Sequence, residues 1–175
     1  MTLEEARAIT AAGLKIVSVW ETDPTRPDYF SFARGRQDGL LALAAARRAG
    51  QPAGSAICFA VDYEPRPADL DRIAAYFRGV RAAGGPYRVG AYGSHAVIAR
   101  VHAEGLAEFL WQTAAWSGAR VHEAAHLFQY RNGVNWCGFT NDADHALREP
   151  GWWSAAAASM PSGTGARARA GRRGA

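Results

Sequence analysis

Two pairs of carboxylates stand out, because each pair follows a short apolar run and has one residue between its members. The run "AICFAVD" leads into Asp62 and Glu64, and "GFTND" leads into Asp142 and Asp144. Alternate residues of a strand share a face, which would place Asp62 and Glu64 roughly 6–7 Å apart along it. Carboxylates that close raise each other's affinity for protons, which keeps one of them as an acid near neutral pH. Glycosidic cleavage requires such an acid.

Both pairs also have an ordinary structural interpretation. Asp62 and Glu64 could cap the helix that follows or bind Arg66. Asp142 and Asp144 could form a turn and a helix N-cap, a position that aspartate favours. Spacing alone leaves both interpretations open, although the same arrangement at two strand ends favours a site.

The segments around these pairs alternate between helix and strand. A capping box of Thr2 and Glu5 opens a first helix that Gly13 ends. Further helices are predicted over 31–49, 67–85 and 94–105, and six strands over 14–21, 56–62, 87–92, 108–113, 125–130 and 138–142. This alternation is typical of an α/β fold with a parallel sheet. In a closed parallel barrel, active sites lie at the carboxyl ends of the strands.

Composition limits the partners of the chain. Its 175 residues predict one domain, with no apolar run long enough to span a membrane and no apolar signal-peptide core. The formal net charge of +4 comes from four arginines of the segment 154–175, which we expect to be a disordered basic tail. Because residues 1–153 carry balanced charge, we expect no specific nucleic-acid partner. Localisation and oligomeric state stay open.

The ordered motifs resemble a known family over about residues 2–153. They are "TLEEARAITAAGLKIVSVWE", "FAVDYE", "YRVGAYGS", "LWQTAAWSG", "HLFQY" and "DADHA…GWW". Together they resemble the bacterial glycoside-hydrolase-like domain catalogued as domain of unknown function 1906, which is similar to the family-25 glycoside hydrolases, the Chalaropsis-type lysozymes. The resemblance implies a TIM-like (β/α) barrel, a cell-wall glycan such as peptidoglycan as partner, and no cofactor. Such relatives are often exported.

The resemblance also implies roles for individual residues. Asp62–Tyr63–Glu64 matches an Asp-x-Glu motif at the end of the fourth strand, and Asp142 matches an aspartate at the eighth. Glu64 would be the general acid/base, Asp62 would orient the substrate's N-acetyl group, and Asp142 would stabilise the oxocarbenium ion. Further strand-end residues would bind substrate through rings, amides or a carboxylate, namely Tyr92, Trp111, Gln112, Gln129 and Asp144. Core packing is the alternative for the rings, Trp111 above all.

The match is incomplete. If "FAVDYE" is the fourth strand, the chain lacks the first two strands and the catalytic aspartate of strand one. We therefore expect an N-terminally incomplete barrel over 1–153, with six of eight strands and two open edges. Hydrolytic activity stays open, and the alternative is a non-catalytic cell-wall binding or scaffold domain on the same fold.

One motif points to different chemistry. Residues 122–126, "HEAAH", match the H-E-x-x-H pattern of zinc peptidases, which requires both histidines on one helical turn. Gly118 lies just before the motif, and the strand-like "LFQY" follows it. We therefore expect His122 and His126 to lie at a surface junction, and we predict no metal site.

Overall fold

The computed structural model of the chain describes residues 1–155. Its helices and strands, in chain order, are α1 Leu3–Ala11, β1 Ser18–Trp20, α2 Phe32–Arg48, β2 Ala56–Ala60, α3 Leu70–Ala82, β3 Arg88–Gly93, α4 His95–Ala103, β4 Phe109–Thr113, β5 Leu127–Trp136 and β6 Phe139–Ala146. Every predicted strand and helix is therefore present. The predicted basic tail lies outside the described residues, except for Ser154 and Ala155.

The six strands form one curled sheet in the order β1-β2-β3-β4-β5-β6, a half-barrel that fits part of a TIM-like barrel. Strands β1 to β5 are parallel, but β6 runs antiparallel to β5. The prediction of a parallel sheet is thus wrong for the last strand. Cys137 and Gly138 explain the reversal, because their φ angles of 53° and 81° suit the tight hairpin turn that connects antiparallel strands.

The helices pack against one face of the sheet. On β2, Ile57 and Phe59 pack into the core beneath the helices, followed by Val61 just after the strand. Cys58 and Ala60 lie on the opposite, inner face, as the alternation predicted. Among the helices of residues 1–155, none has the length and apolar character of a membrane span.

The segment that follows β6 closes the amino end of the sheet. Trp153 forms a two-bond antiparallel bridge with Ile16, and its Nε1–H donates a hydrogen bond of 3.0 Å to Ser18 Oγ. The N–H of Ala155 donates to Thr10 Oγ1 at 2.9 Å. These contacts fill the end of the sheet where the parallel strands begin, so the carboxyl end remains the accessible one.

Glycines at the α2–α3 contact allow the helices to cross closely, which generates a first prediction. A Cβ at Gly35 would lie 1.9 Å from the carbonyl oxygen of Tyr76, and one at Gly79 would lie 2.1 Å from that of Phe32. Backbone atoms cannot yield as a flexible side chain can. We expect Gly35→Ala and Gly79→Ala each to lower the free energy of unfolding by about 2–3 kcal/mol, as overpacking does. Denaturant unfolding measures the change.

A control separates this clash from helix propensity. Arg48 lies on the exposed side of α2, so Arg48→Ala should leave stability nearly unchanged. In an exposed helix interior, glycine to alanine stabilises by roughly 0.5–1 kcal/mol. If either glycine variant proved as stable as the parent protein, the close crossing of the helices would be wrong.

Candidate functional site

A cavity of about 250 Å³ opens at the carboxyl ends of the parallel strands. It is lined by Val19, Glu21, Asp62, Tyr92, Trp111, Gln129 and Asp142. Each of the six strands, or the residue or two directly after it, supplies at least one of these side chains. A second cavity of about 360 Å³ lies between β1 and α2, but no carboxylate lines it. The chemistry-bearing side chains therefore converge on the first cavity.

The strand register explains why these side chains meet. Directly paired residues of neighbouring strands lie on the same face of a sheet. Ala60 pairs with Tyr92, and Tyr92 pairs with Trp111, so both rings project from the inner face. Thr113 pairs with Gln129 two residues further along β4, and Asp62 lies two residues beyond Ala60. The wall of the cavity therefore consists of a row of aromatic side chains, Tyr92 and Trp111, and a row of polar side chains two residues closer to the carboxyl ends of the strands.

A chain of hydrogen bonds joins the polar side chains across the cavity. The Tyr92 hydroxyl donates to Gln129 Oε1 at 2.6 Å and lies 3.5 Å from Asp62 Oδ1. Gln129 Nε2 donates to Asp142 Oδ2 at 2.7 Å, and the Gly133 N–H donates to Asp142 Oδ1 at 2.9 Å. Both oxygens of Asp142 accept hydrogen bonds, so the orientation of its carboxylate is fixed.

Asp144 lies behind Trp111 at the edge of the site. The indole Nε1–H of Trp111 donates to Asp144 Oδ1 at 2.6 Å, and the Trp111 ring meets Tyr92 edge to face at 5.2 Å. Partial burial of its carboxyl group and the charge of Asp142 raise the pKa of Asp144, while the Trp111 hydrogen bond opposes the rise. Burial raises the pKa of Tyr92 to about 12, so its hydroxyl remains a neutral donor at pH 7.

Glu64 lies outside this constellation. It is exposed and is not among the residues that line the cavity. The expectation that Asp62 and Glu64 share a face required an extended strand through both, but β2 ends at Ala60 and the chain bends at Tyr63. Tyr63 packs on Phe30 with ring centroids 5.8 Å apart. The bend separates the two carboxylates.

Gln112 also lies elsewhere than predicted. It follows Trp111 in β4, and neighbouring residues of a strand point to opposite faces. Its side chain is fully buried, where Nε2 donates to the carbonyl of Arg120 at 2.7 Å and Oε1 accepts from the His122 N–H at 2.8 Å. Gln112 therefore fastens the loop after β4 and does not face the cavity.

The H-E-x-x-H segment is not helical. Residues 122–126 form a turn, in which His122 Nδ1 accepts from the Ala124 N–H at 3.1 Å. His126 Nδ1 accepts from the Leu110 N–H at 3.2 Å. Within residues 1–155, no group of three or more His, Cys, Asp and Glu side chains is arranged to hold a metal ion. The zinc-peptidase interpretation is therefore not supported.

Glu21 lines the cavity, although no sequence motif pointed to it. It is the residue directly after β1, which pairs Val19 with Cys58 on the inner face. Its signal was present in the sequence, because "LKIVSVWE" is an apolar strand that ends in a carboxylate. A single carboxylate at a strand end is a weaker signal of a site than a pair of carboxylates.

A family model described as Rv2525c-like, glycoside hydrolase-like domain, matches residues 1–146. The chain belongs to this family. The glycoside-hydrolase-like resemblance expected from the motif order is confirmed. The match covers every strand of the half-barrel and every residue that lines the cavity.

Solved structures share the fold. The crystal structure of the Mycobacterium tuberculosis Tat-secreted protein Rv2525c in complex with L-tartrate matches with a TM-score of 0.79 at 27% identity, covering 87% of this chain and 78% of that one. An uncharacterized B. stearothermophilus protein matches with a TM-score of 0.59 at 19% identity, covering 85% of this chain and 77% of that one, which shows a common fold alone.

Two curated relatives come from Bacillus subtilis. YbfG is 30% identical over 115 residues, which are 60% of this chain and 16% of that protein. FadG is 30% identical over 109 residues, which are 59% of this chain and 19% of that protein. The chain therefore matches less than a fifth of the length of either relative.

The surroundings of Asp144 predict opposite pKa shifts in two variants. Asp142→Asn removes a neighbouring negative charge, so the pKa of Asp144 should fall. Trp111→Phe removes the indole donor that favours the ionised carboxylate, so the pKa of Asp144 should rise. Carboxyl ¹³C NMR titration of the parent protein and both variants measures the two changes.

A residue at the opposite end of the strands is the control for these variants. Glu108 directly precedes β4, and its backbone amide chemical shifts should be the same in all three proteins. Shifts of Asp144 in one direction in both variants would contradict the arrangement of Trp111, Asp142 and Asp144.

Proposed function

We propose that the cavity binds a cell-wall glycan, with peptidoglycan as the natural polymer, and hydrolyses its glycosidic bonds. The observation that carries the proposal is the approach of Asp62 and Asp142 to one cavity whose inner wall is formed by Tyr92 and Trp111. Carboxylates that flank a sugar are the common requirement of glycosidases. The proposal concerns this domain alone.

The aromatic row supports a sugar as the ligand. Tyr92 and Trp111 both line the cavity, and Trp111 is only partly buried. Exposed parts of such rings suit the apolar faces of pyranose rings, while the amide of Gln129 and the hydroxyl of Tyr92 suit sugar hydroxyl groups. Asp62 would orient the N-acetyl group of an amino sugar, as the family-25 resemblance implies.

The charge of the cavity supports hydrolysis. Glu21, Asp62 and Asp142 line it, and none of the lining side chains is Lys or Arg. A cavity of this sign repels anionic ligands such as phosphates and stabilises positive charge. Glycosidic cleavage develops positive charge at the anomeric carbon in an oxocarbenium-like transition state. Asp142, whose carboxylate is held by two hydrogen bonds, would stabilise that charge without reorienting.

The relatives agree with this function in general terms. The family is described as glycoside hydrolase-like, and Rv2525c of M. tuberculosis is described as Tat-secreted. Export of this chain would bring the cavity to a cell-wall glycan. We therefore place the proposed action outside the cytoplasm.

A non-catalytic glycan-binding or scaffold domain is the second candidate. The position of Glu64 favours it, because the residue that the family-25 resemblance designates as general acid does not line the cavity. The same rings and amides would then bind the glycan without cleaving it.

The proposed function predicts how one substitution affects binding and turnover. With purified peptidoglycan, the parent protein should co-sediment and release soluble reducing ends. Asp142→Asn should lower the rate of release by about 10²–10³-fold, the usual effect of removing a group that stabilises transition-state charge. Binding should change little, because Gln129 and the two rings remain. Reducing-end assays and co-sedimentation measure the two effects.

Glu108→Gln is the matched control, since it removes a carboxylate from the opposite end of the strands. Its binding and release should equal those of the parent protein. Binding without release by the parent protein would establish the second candidate. Absence of both would refute a glycan-directed function.

A further inference from the structure

We infer that Glu21 is the carboxyl group that transfers the proton to and from the glycosidic substrate. The inference rests on the proposed function, and it assigns to Glu21 the role that the Asp-x-Glu motif assigned to Glu64. Four observations carry it, namely the register of β1, the free state of the Glu21 carboxyl, its place opposite Asp142, and the exclusion of Glu64.

The register of β1 places Glu21 on the inner face. Val19 pairs with Cys58 and Trp20 pairs with Phe59, so the next residue continues beside Ala60. Cys58 and Ala60 belong to the inner face, whereas Trp20 packs against the core beneath the helices. Glu21 therefore occupies the same row as the rings of the cavity wall, and it lines the cavity.

Glu21 differs from the other acidic residues of the site in its hydrogen bonding. Asp142 accepts two hydrogen bonds, Asp144 accepts one from Trp111, and Asp62 lies 3.5 Å from the Tyr92 hydroxyl. Among the side-chain hydrogen bonds and salt bridges within residues 1–155, none involves the Glu21 carboxyl. A group that alternately donates and accepts a proton must be free to turn toward the substrate.

The sheet order places Glu21 and Asp142 on opposite sides of the cavity. β1 is the first strand of the curled sheet and β6 is the last, with the aromatic row of β3 and β4 between them. A sugar stacked on Tyr92 and Trp111 would have Glu21 on one side and Asp142 on the other. Glycosidases flank the scissile bond with carboxylates in this manner.

The reaction balances with Glu21 as the only proton-transfer group. Its protonated carboxyl donates to the glycosidic oxygen while the N-acetyl oxygen of the substrate attacks the anomeric carbon. The bond between that carbon and the glycosidic oxygen breaks, and the leaving sugar departs as an alcohol. Water then adds to the anomeric carbon, gives its proton to the Glu21 carboxylate, and restores the N-acetyl group.

Two substitutions of the same kind test the assignment, with glycan turnover as the first measurement. Glu21→Gln should lower kcat on peptidoglycan fragments by about 10²–10⁴-fold, the usual effect of losing a general acid or base, with KM nearly unchanged. Glu64→Gln should have a far smaller effect. Thermal melts confirm that both variants fold. The reverse ranking would return the role to Glu64 and overturn the inference.

The leaving group supplies a measurement that a merely structural role would not move. An aryl glycoside of the same sugar, with a strongly acidic phenol, departs without protonation. Glu21→Gln should therefore retain much more of its first-step rate on the aryl glycoside than on the polymer fragment. Equal losses on both substrates would contradict a proton transfer by Glu21.

Failure of the proposed function is distinguishable from failure of the inference. If the parent protein cleaves no glycan, the proposed hydrolysis and the proton-transfer role both fail. If the parent protein cleaves glycan and Glu21→Gln does so equally well, only the inference fails.

Discussion

The parallel register of β1 to β5 is the constraint on which the site depends. It brings five strand ends to one edge of the sheet and places directly paired residues on one face, so a side chain at each end can reach the same cavity. The amino end cannot serve in this way, because Trp153 and its neighbours fill it. The antiparallel β6 adds Asp142 only because its hairpin returns along β5 and brings that residue beside Gln129.

The hydrogen-bond chain from Tyr92 through Gln129 to Asp142 turns this convergence into defined geometry. Gln129 is buried, and its amide accepts from one neighbour and donates to the other, so the two ends of the chain are oriented together. None of the lining residues is Lys or Arg, and the Asp142 carboxylate is held by neutral donors, the Gln129 amide and the Gly133 N–H. The field of the cavity carboxylates therefore remains available to a ligand, where an ion pair with Arg or Lys would have neutralised it.

The sequence predicted the architecture well because its signals were strong. Glycine stops, amphipathic helices and apolar strands predicted every element, and the strand-end positions of Asp62, Tyr92, Trp111, Gln129 and Asp142 all line the cavity.

The predictions that were wrong have local physical causes. The polar residues of "RNGVNW" hid the second half of β5 from the sequence pattern, and therefore also the hairpin that makes β6 antiparallel. Gln112 was assigned to the cavity with Trp111, although neighbours in a strand face opposite sides. The left-handed conformation of Cys137 has no signal in a non-glycine residue.

The position of Glu64 follows from the residue before it. Tyr63 packs into the core against Phe30, and burial raises its pKa to about 12. The Asp62 N–H donates to the carbonyl of Pro24 at 2.9 Å, which fixes the chain just before the bend. Pro65 and Pro67 follow, each with a restricted φ, and the Asp69 carboxylate accepts hydrogen bonds from Arg66.

Turning the Glu64 side chain into the cavity would pull the Tyr63 ring out of the core and rotate a segment that is held at both ends. Glu21 needs no such movement, since the strand that carries it already ends at the cavity wall.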